Sequence, residues 1–195
     1  MDVKEAIKKR RTIRRFKQQE ISGKTLESLI DAARVAPSGM NIQPLEFIVV
    51  TEKDILDGIF PLLGWAGYLG PGGPPPEGKR PVCYIAVIYN KDIKTPTPSY
   101  DAGAAVENIL LLATSEGVGT CWIGSVKRKE LASILNLPYN YEIDSVIALG
   151  YPDESSVVEE FEGSIKYWKD ADGKMHVPKR NIKDILHFNK FFKKT

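Results

Sequence analysis

Apolar positions recur along the chain with two periods, and the alternation of those periods sets out the fold. Val3, Ala6 and Ile7 form a short helical stripe, opened by Asp2 as N-cap with Glu5 as its capping partner and ending near residues 9–11. Ser22 is the next cap. Leu26, Leu29, Ile30 and Ala33 follow at helical spacing, and the helix ends before Pro37. Residues 47–51 (FIVVT) and 82–89 (VCYIAVIY) are short β-branched or apolar runs, the signature of buried strands. Residues 54–60 are weakly helical. Residues 99–115 predict a long helix, apolar almost all round, which suits a central or interface position. A helix bearing Leu131, Ile134 and Leu135 and a strand over 145–150 complete the series. Beyond that, residues 151–195 read as a polar, irregular extension until the mixed apolar stretch 182–192. Helices and strands interleave without repeats or a dividing linker. The expectation is one α+β domain over 1–195 with a mixed central sheet wrapped by helices.

Three segments break the periodicity. PSGMNIQP, residues 37–44, is a loop by composition. Residues 64–81 hold six glycines and five prolines in eighteen positions, too many for a regular element, and a loop of that length suits a lid or binding loop. GVGTCWIG, residues 117–124, lacks the third glycine of the dinucleotide fingerprint and follows a helix rather than a strand. It reads instead as a helix-ending turn into a short strand, with Cys121 and Trp122 half-buried.

Composition narrows the classes. The 195 residues are 43% hydrophobic and 27% charged, ordinary for a globular chain able to bury its own core. No apolar run approaches the ~20 residues of a membrane span, and the N-terminus lacks a secretory apolar stretch, so a cytoplasmic protein is expected. Two cysteines are too few for a disulfide framework or a zinc cage. Elbow, P-loop and zinc-protease motifs are absent, leaving hydrolase and nucleotide triphosphatase readings without support.

The net charge of +2 hides an asymmetry: residues 1–17 carry eight Lys and Arg against Asp2 and Glu5. Within RRTIRR, Arg10, Arg11 and Arg14 with the Thr12 hydroxyl suit a phosphate, because guanidinium forks make paired charge-assisted hydrogen bonds. A solvated basic surface or a nucleic-acid or membrane patch explains the same hexamer, although no nucleic-acid reading motif accompanies it. Lys179 and Arg180 form a second small basic site. Ser38, Asn41 and Gln43 offer hydrogen bonds for a polar heterocycle, or else satisfy their own loop. Cys121 lacks a base with a supporting motif, since His176 and His187 read as surface or tail residues, and a structural thiol is the simpler account.

Taken in order, RRTIRRF (10–16), AARVAPSGMNIQPLEFIVV (32–50), DAGAAVENILLLATSEGVGTCWIG (101–124), LGYPDE (149–154) and VPKR (177–180) resemble the nitroreductase family of FMN flavoproteins over nearly the whole chain. The resemblance implies an intertwined homodimer with two FMN sites lined by both subunits. It would place Arg10, Arg11, Thr12 and Arg14, joined by Arg180 and Lys179, on the FMN phosphate and ribityl end. Pro37, Ser38, Gly39 and Asn41, with Gln43 close behind, would come from the partner. Cys121, Trp122, Ile123 and Gly124 would lie along the flavin ring. NADH or NADPH would be the donor in a ping-pong cycle, with no side chain as general acid and therefore no catalytic residue named. The acceptor would be a small nitro compound, quinone or enone, met by Met40, Trp65 and Tyr68. The PSG loop also resembles that of iodotyrosine deiodinases, but their acidic, aromatic and lysine substrate clamp is not evident. The alternatives are a flavin-binding protein without reductase turnover and a basic-patch nucleic-acid binder.

Overall fold

The structure is a computed structural model of the chain and describes residues 1–191. In chain order the elements are α1 (Val3–Lys9), α2 (Gly23–Arg34), β1 (Leu45–Val50), α3 (Lys53–Ile59), β2 (Cys83–Asn90), α4 (Pro98–Ser115), β3 (Gly119–Ile123), α5 (Arg128–Ile134) and β4 (Tyr141–Gly150), then β5 (Ser156–Glu160), β6 (Trp168–Lys169) and β7 (Met175–Lys179). The helix starts form as the caps dictate. Asp2 accepts from the Glu5 N–H and Ser22 from that of Thr25.

Four strands make the main sheet in the order β1-β2-β4-β3, and all three pairings are antiparallel. A parallel contact is added at its β3 edge, where Thr12 bridges Thr120. The sheet buries both faces, so β2 and β4 sort their side chains by parity. Ile85, Val87, Ile147 and Leu149 point to one side, onto Leu29 of α2 and Val106 and Ile109 of α4. Tyr84, Ala86, Val146 and Ala148 point to the other, where Ile59 of α3, Leu131 of α5, Ile13 and Phe16 close a second core. Much of the apolar circumference of α4 is thereby covered within its own chain.

Two expectations need correction. Residues 151–181 are not irregular: β5 and β7 pair in parallel and β6 joins β7 antiparallel, giving a second, mixed three-stranded sheet. Its strands bury a single side chain, Met175, so no apolar run announces them. The 64–81 segment does contain one short 3-10 stretch, Gly67–Gly72, broken at Gly70 where φ is +54°. The apolar tail is described only as far as residue 191; residue 192 lies outside the described residues.

Candidate functional site

The arginine segment leaves α1 in extended form and is laid along β3. Ile13 donates to the Thr120 carbonyl at 2.9 Å, and Ile13 and Phe16 sink into the core as anchors. Gly119 and Gly150 make room for them. A Cβ on Gly119 would stand 3.0 Å from the Ile13 side chain, and one on Gly150 would stand 2.8 Å from that of Phe16. This packing brings Arg10, Arg11, Thr12 and Arg14 to the edge that carries Cys121, Trp122, Ile123 and Gly124.

The cations there are incompletely balanced. Arg10 lies 3.5 Å from Glu107 of α4. Burial, and then the charge of Arg10, push the Arg11 guanidinium below its ordinary range. Arg14 lies over the Tyr167 ring at 5.0 Å, with its Nε buried and unpartnered. An anion at this edge would relieve both the crowding and the orphan donor.

Along β3 the side chains alternate rather than sharing one environment. Cys121 is fully buried, whereas Trp122 is 44% exposed and donates its indole N–H to the Ser145 hydroxyl at 2.7 Å. The half-buried expectation for both is therefore replaced by one inward and one outward residue, as strand parity requires. Burial pushes the Cys121 thiol up to about 11 and that of Cys83 to about 12, so neither is a thiolate nucleophile near neutral pH. Gly124 is exposed, with open space where a side chain would stand.

The second candidate cluster, Pro37 to Gln43, is tied to the first turn of α4. The Gly39 N–H donates to buried Asp101 at 3.0 Å, and the Gln43 N–H to the Ser38 hydroxyl at 3.1 Å. Met40, Asn41 and Gln43 all have positive φ, of 52°, 57° and 53°. Behind the loop is a cavity of about 250 Å³ lined by Pro37, Ser38, Gln43, Phe47 and Ala105 among others. Asp101 and Glu107 are six residues apart on α4, about 240° round the helix. The loop and the arginines thus contact different faces of α4 in one copy. Among the described residues, the loop's hydrogen bonds run within itself and to Asp101, not to the arginine segment.

The remaining candidates are dispersed. Lys179 ends β7 in register with Glu160, and Arg180 donates to the Asp184 carbonyl at 3.0 Å. Met40 is 93% exposed. Trp65 does not face solvent: it is buried against Phe60, with ring centroids 5.5 Å apart. Tyr68 is exposed and packs on Tyr167 with ring centroids 4.9 Å apart, a neighbour the sequence did not suggest. Sequence reasoning also missed Glu154, whose side chain is 3% exposed and accepts from the Arg14 N–H at 2.6 Å. It was legible only as the last residue of LGYPDE. His176, expected at the surface, is clamped in β7 between Glu159 and Asp170 (2.9 Å to the latter) and stacks on Trp168 at 4.0 Å. Among the described residues no set of three ligating side chains is arranged to hold a metal ion, and no helix is long and apolar enough to cross a membrane.

Known proteins share this architecture and are similar to this chain in sequence. A protein of Archaeoglobus fulgidus named "Putative NADH dehydrogenase/NAD(P)H nitroreductase" is 34% identical over 160 residues, covering 77% of this chain and 86% of its own. An iodotyrosine deiodinase of Thermotoga neapolitana is 25% identical over 162 residues, covering 75% of this chain and 87% of its own. Among solved structures, an FMN-dependent nitroreductase of Clostridium difficile superposes with a TM-score of 0.70 at 28% identity, over 95% of this chain and 98% of that one. The pattern of the Nitroreductase family matches residues 7–66 and 79–151, which take in the arginine segment, the PSG loop, α4, β3 and β4. With that match spread across both candidate clusters and the sheet between them, the chain belongs to the nitroreductase family.

Proposed function

We propose that this chain is an FMN-dependent oxidoreductase that takes electrons from NADH or NADPH and passes them to a small conjugated acceptor, a nitro compound, quinone or enone. The observation that carries the reading is the docking of Arg10, Arg11, Thr12 and Arg14 along β3. It supplies a cation cluster with an orphan donor, suited to the FMN phosphate and ribityl end, beside Cys121 to Gly124. The open space at Gly124 and the outward face of β3 suit a flat ring. FMN, when bound, supplies the electron chemistry; the side chains bind and orient. Donor and acceptor use one site in turn, in the ping-pong order. The cytoplasm is its expected compartment.

The PSG loop serves the site of a second copy, with Lys179 and Arg180 joining the arginines at the phosphate, so the working form is a homodimer. Two features support this: the loop and the arginines contact different faces of α4, and exposed Val3 and Val35 line a groove of about 280 Å³ reaching Leu111 and Leu112. Close backbone approach to a cofactor fits Gly39, and the exposed Met40 fits an acceptor-facing position.

The test is an anaerobic visible spectrum of the FMN-supplied protein, before and after NADH and then NADPH. A flavin band that bleaches supports the reading and identifies the donor. Bound flavin that neither donor bleaches leaves the binding-only alternative, and failure to take up FMN overturns the assignment of the arginines. Sedimentation tests the assembly: a single-copy species of 21.7 kDa that still holds FMN tightly would sink the shared site.

A further inference from the structure

Glu154 sits where three segments meet, and the nitroreductase pattern stops three residues short of it. Its carboxylate accepts from the Arg14 backbone N–H at 2.6 Å and from Lys169 Nζ at 3.0 Å, and lies 3.5 Å from Arg15 Nη1. Arg15 also donates from Nη2 to the Gly72 carbonyl at 3.1 Å, in the 64–81 loop. Main-chain pairing supports the same junction. Lys17 donates to the Tyr151 carbonyl at 2.8 Å, Phe16 bridges Pro152, and Asp153 donates to the Arg15 carbonyl at 2.9 Å. Arg15 is therefore turned toward Glu154 and Gly72, while Arg10 pairs with Glu107 and Arg14 lies over Tyr167.

A buried carboxylate that accepts a backbone N–H fixes that backbone atom more firmly than a side-chain contact would, because losing the acceptor strands a buried donor. Lys169 belongs to β6, so the same carboxylate fastens the small C-terminal sheet to the arginine segment. We propose that Glu154 is a positioning residue that holds the Arg10–Arg14 segment in its phosphate-binding form and, through Lys169, makes the C-terminal extension part of that site. The proposal rests on the reading of these arginines as an FMN phosphate anchor.

A positioning role and a plain field effect predict opposite signs. Removing a negative charge beside a phosphate site raises phosphate affinity if only the field matters; loosening the anchor lowers it. The experiment titrates the full-length wild type, Glu154→Ala, Glu154→Gln and Lys169→Met with FMN and with riboflavin, which lacks the phosphate, following flavin fluorescence. In Glu154→Ala the preference for FMN over riboflavin is expected to fall about tenfold, with riboflavin binding retained as the sign of an intact fold. Glu154→Gln keeps an acceptor for the Arg14 N–H and recovers part of the preference. Lys169→Met, at the exchange of one half-buried ion pair, loses about threefold. Should Glu154→Ala fail to fold, Glu154→Gln carries the same test, because it too removes the negative charge and the field alone would raise its FMN preference. An unchanged or increased FMN preference in the variants overturns the positioning role while leaving the anchor reading intact. A wild type that shows no preference for FMN overturns the anchor reading and the proposal with it.

Discussion

The two sheets of this chain are held by different forces. In β2 six consecutive residues are buried, and β4 buries its last six; the second sheet, of β5, β6 and β7, buries Met175 alone. The first is a product of the hydrophobic effect acting on both faces. The second hangs on polar contacts: His176 between Glu159 and Asp170, Trp168 donating to Glu159 at 3.2 Å, and Lys169 on Glu154. A sheet made by burial is indifferent to pH and salt over a wide range, while one made by charge is not. The chain therefore joins a robust platform to a conditionally stable attachment.

The largest expected effect lies in the platform. Ile147 of β4 is fully buried in the core that the sheet shares with α2 and α4, and Ile147→Ala should cost about 2–5 kcal/mol of global stability by urea unfolding. A cost well under 1 kcal/mol would mean the sheet is not held by burial. Next comes the seam between platform and arginine segment. Gly150→Ala forces a Cβ to within 2.8 Å of the fully buried Phe16 side chain, close to the backbone where little can yield. About 1–3 kcal/mol should be lost, again in global unfolding.

The smallest effect is local and belongs to the attachment. Hydrogen bonds to Asp170 and then Glu159 raise the His176 pKa above its ordinary value. A raised folded-state pKa contributes stability that is complete below about pH 6.5 and is lost as pH rises through the folded value. Asp170, held low chiefly by His176, gives the opposite loss in acid. Amide exchange protection in β7 should thus decline on going from pH 6.5 into the alkaline range, after correction for intrinsic rates, with the main sheet unaffected. His176→Gln should abolish that decline. Protection in β7 that ignores pH in the wild type would remove the distinction between the two sheets.

The same contrast explains what was readable in the sequence. VCYIAVIY could only be a strand buried on both faces, and Asp2, Ser22 and the turn at Gly117 (φ +77°) mark their elements by local chemistry. The order of motifs gave the arginine segment and the loop before α4. The second sheet has no apolar run; its one local signal is the Asp172-Gly173 turn (Gly173 φ +81°) between β6 and β7, and its side chains are tied by contacts between residues six to seventeen apart. Glu154 and Tyr167 reach residues more than a hundred positions away. Such polar partnerships have no period to detect. Trp65 misled because an aromatic in a Gly- and Pro-rich stretch looks exposed, whereas the loop folds back and packs it on Phe60.

The loop at residues 38–43 has a consequence for whatever comes to rest against it. Met40 and Gln43 occupy left-handed backbone that unbranched side chains adopt at a cost of order 1–3 kcal/mol each. That conformation persists because Asp101, buried in a helix locked into the main core, holds the Gly39 N–H. Folding of the platform has thus already removed the loop's conformational freedom. A ligand arriving there meets a surface with little entropy left to lose, and more of its contact energy goes into affinity.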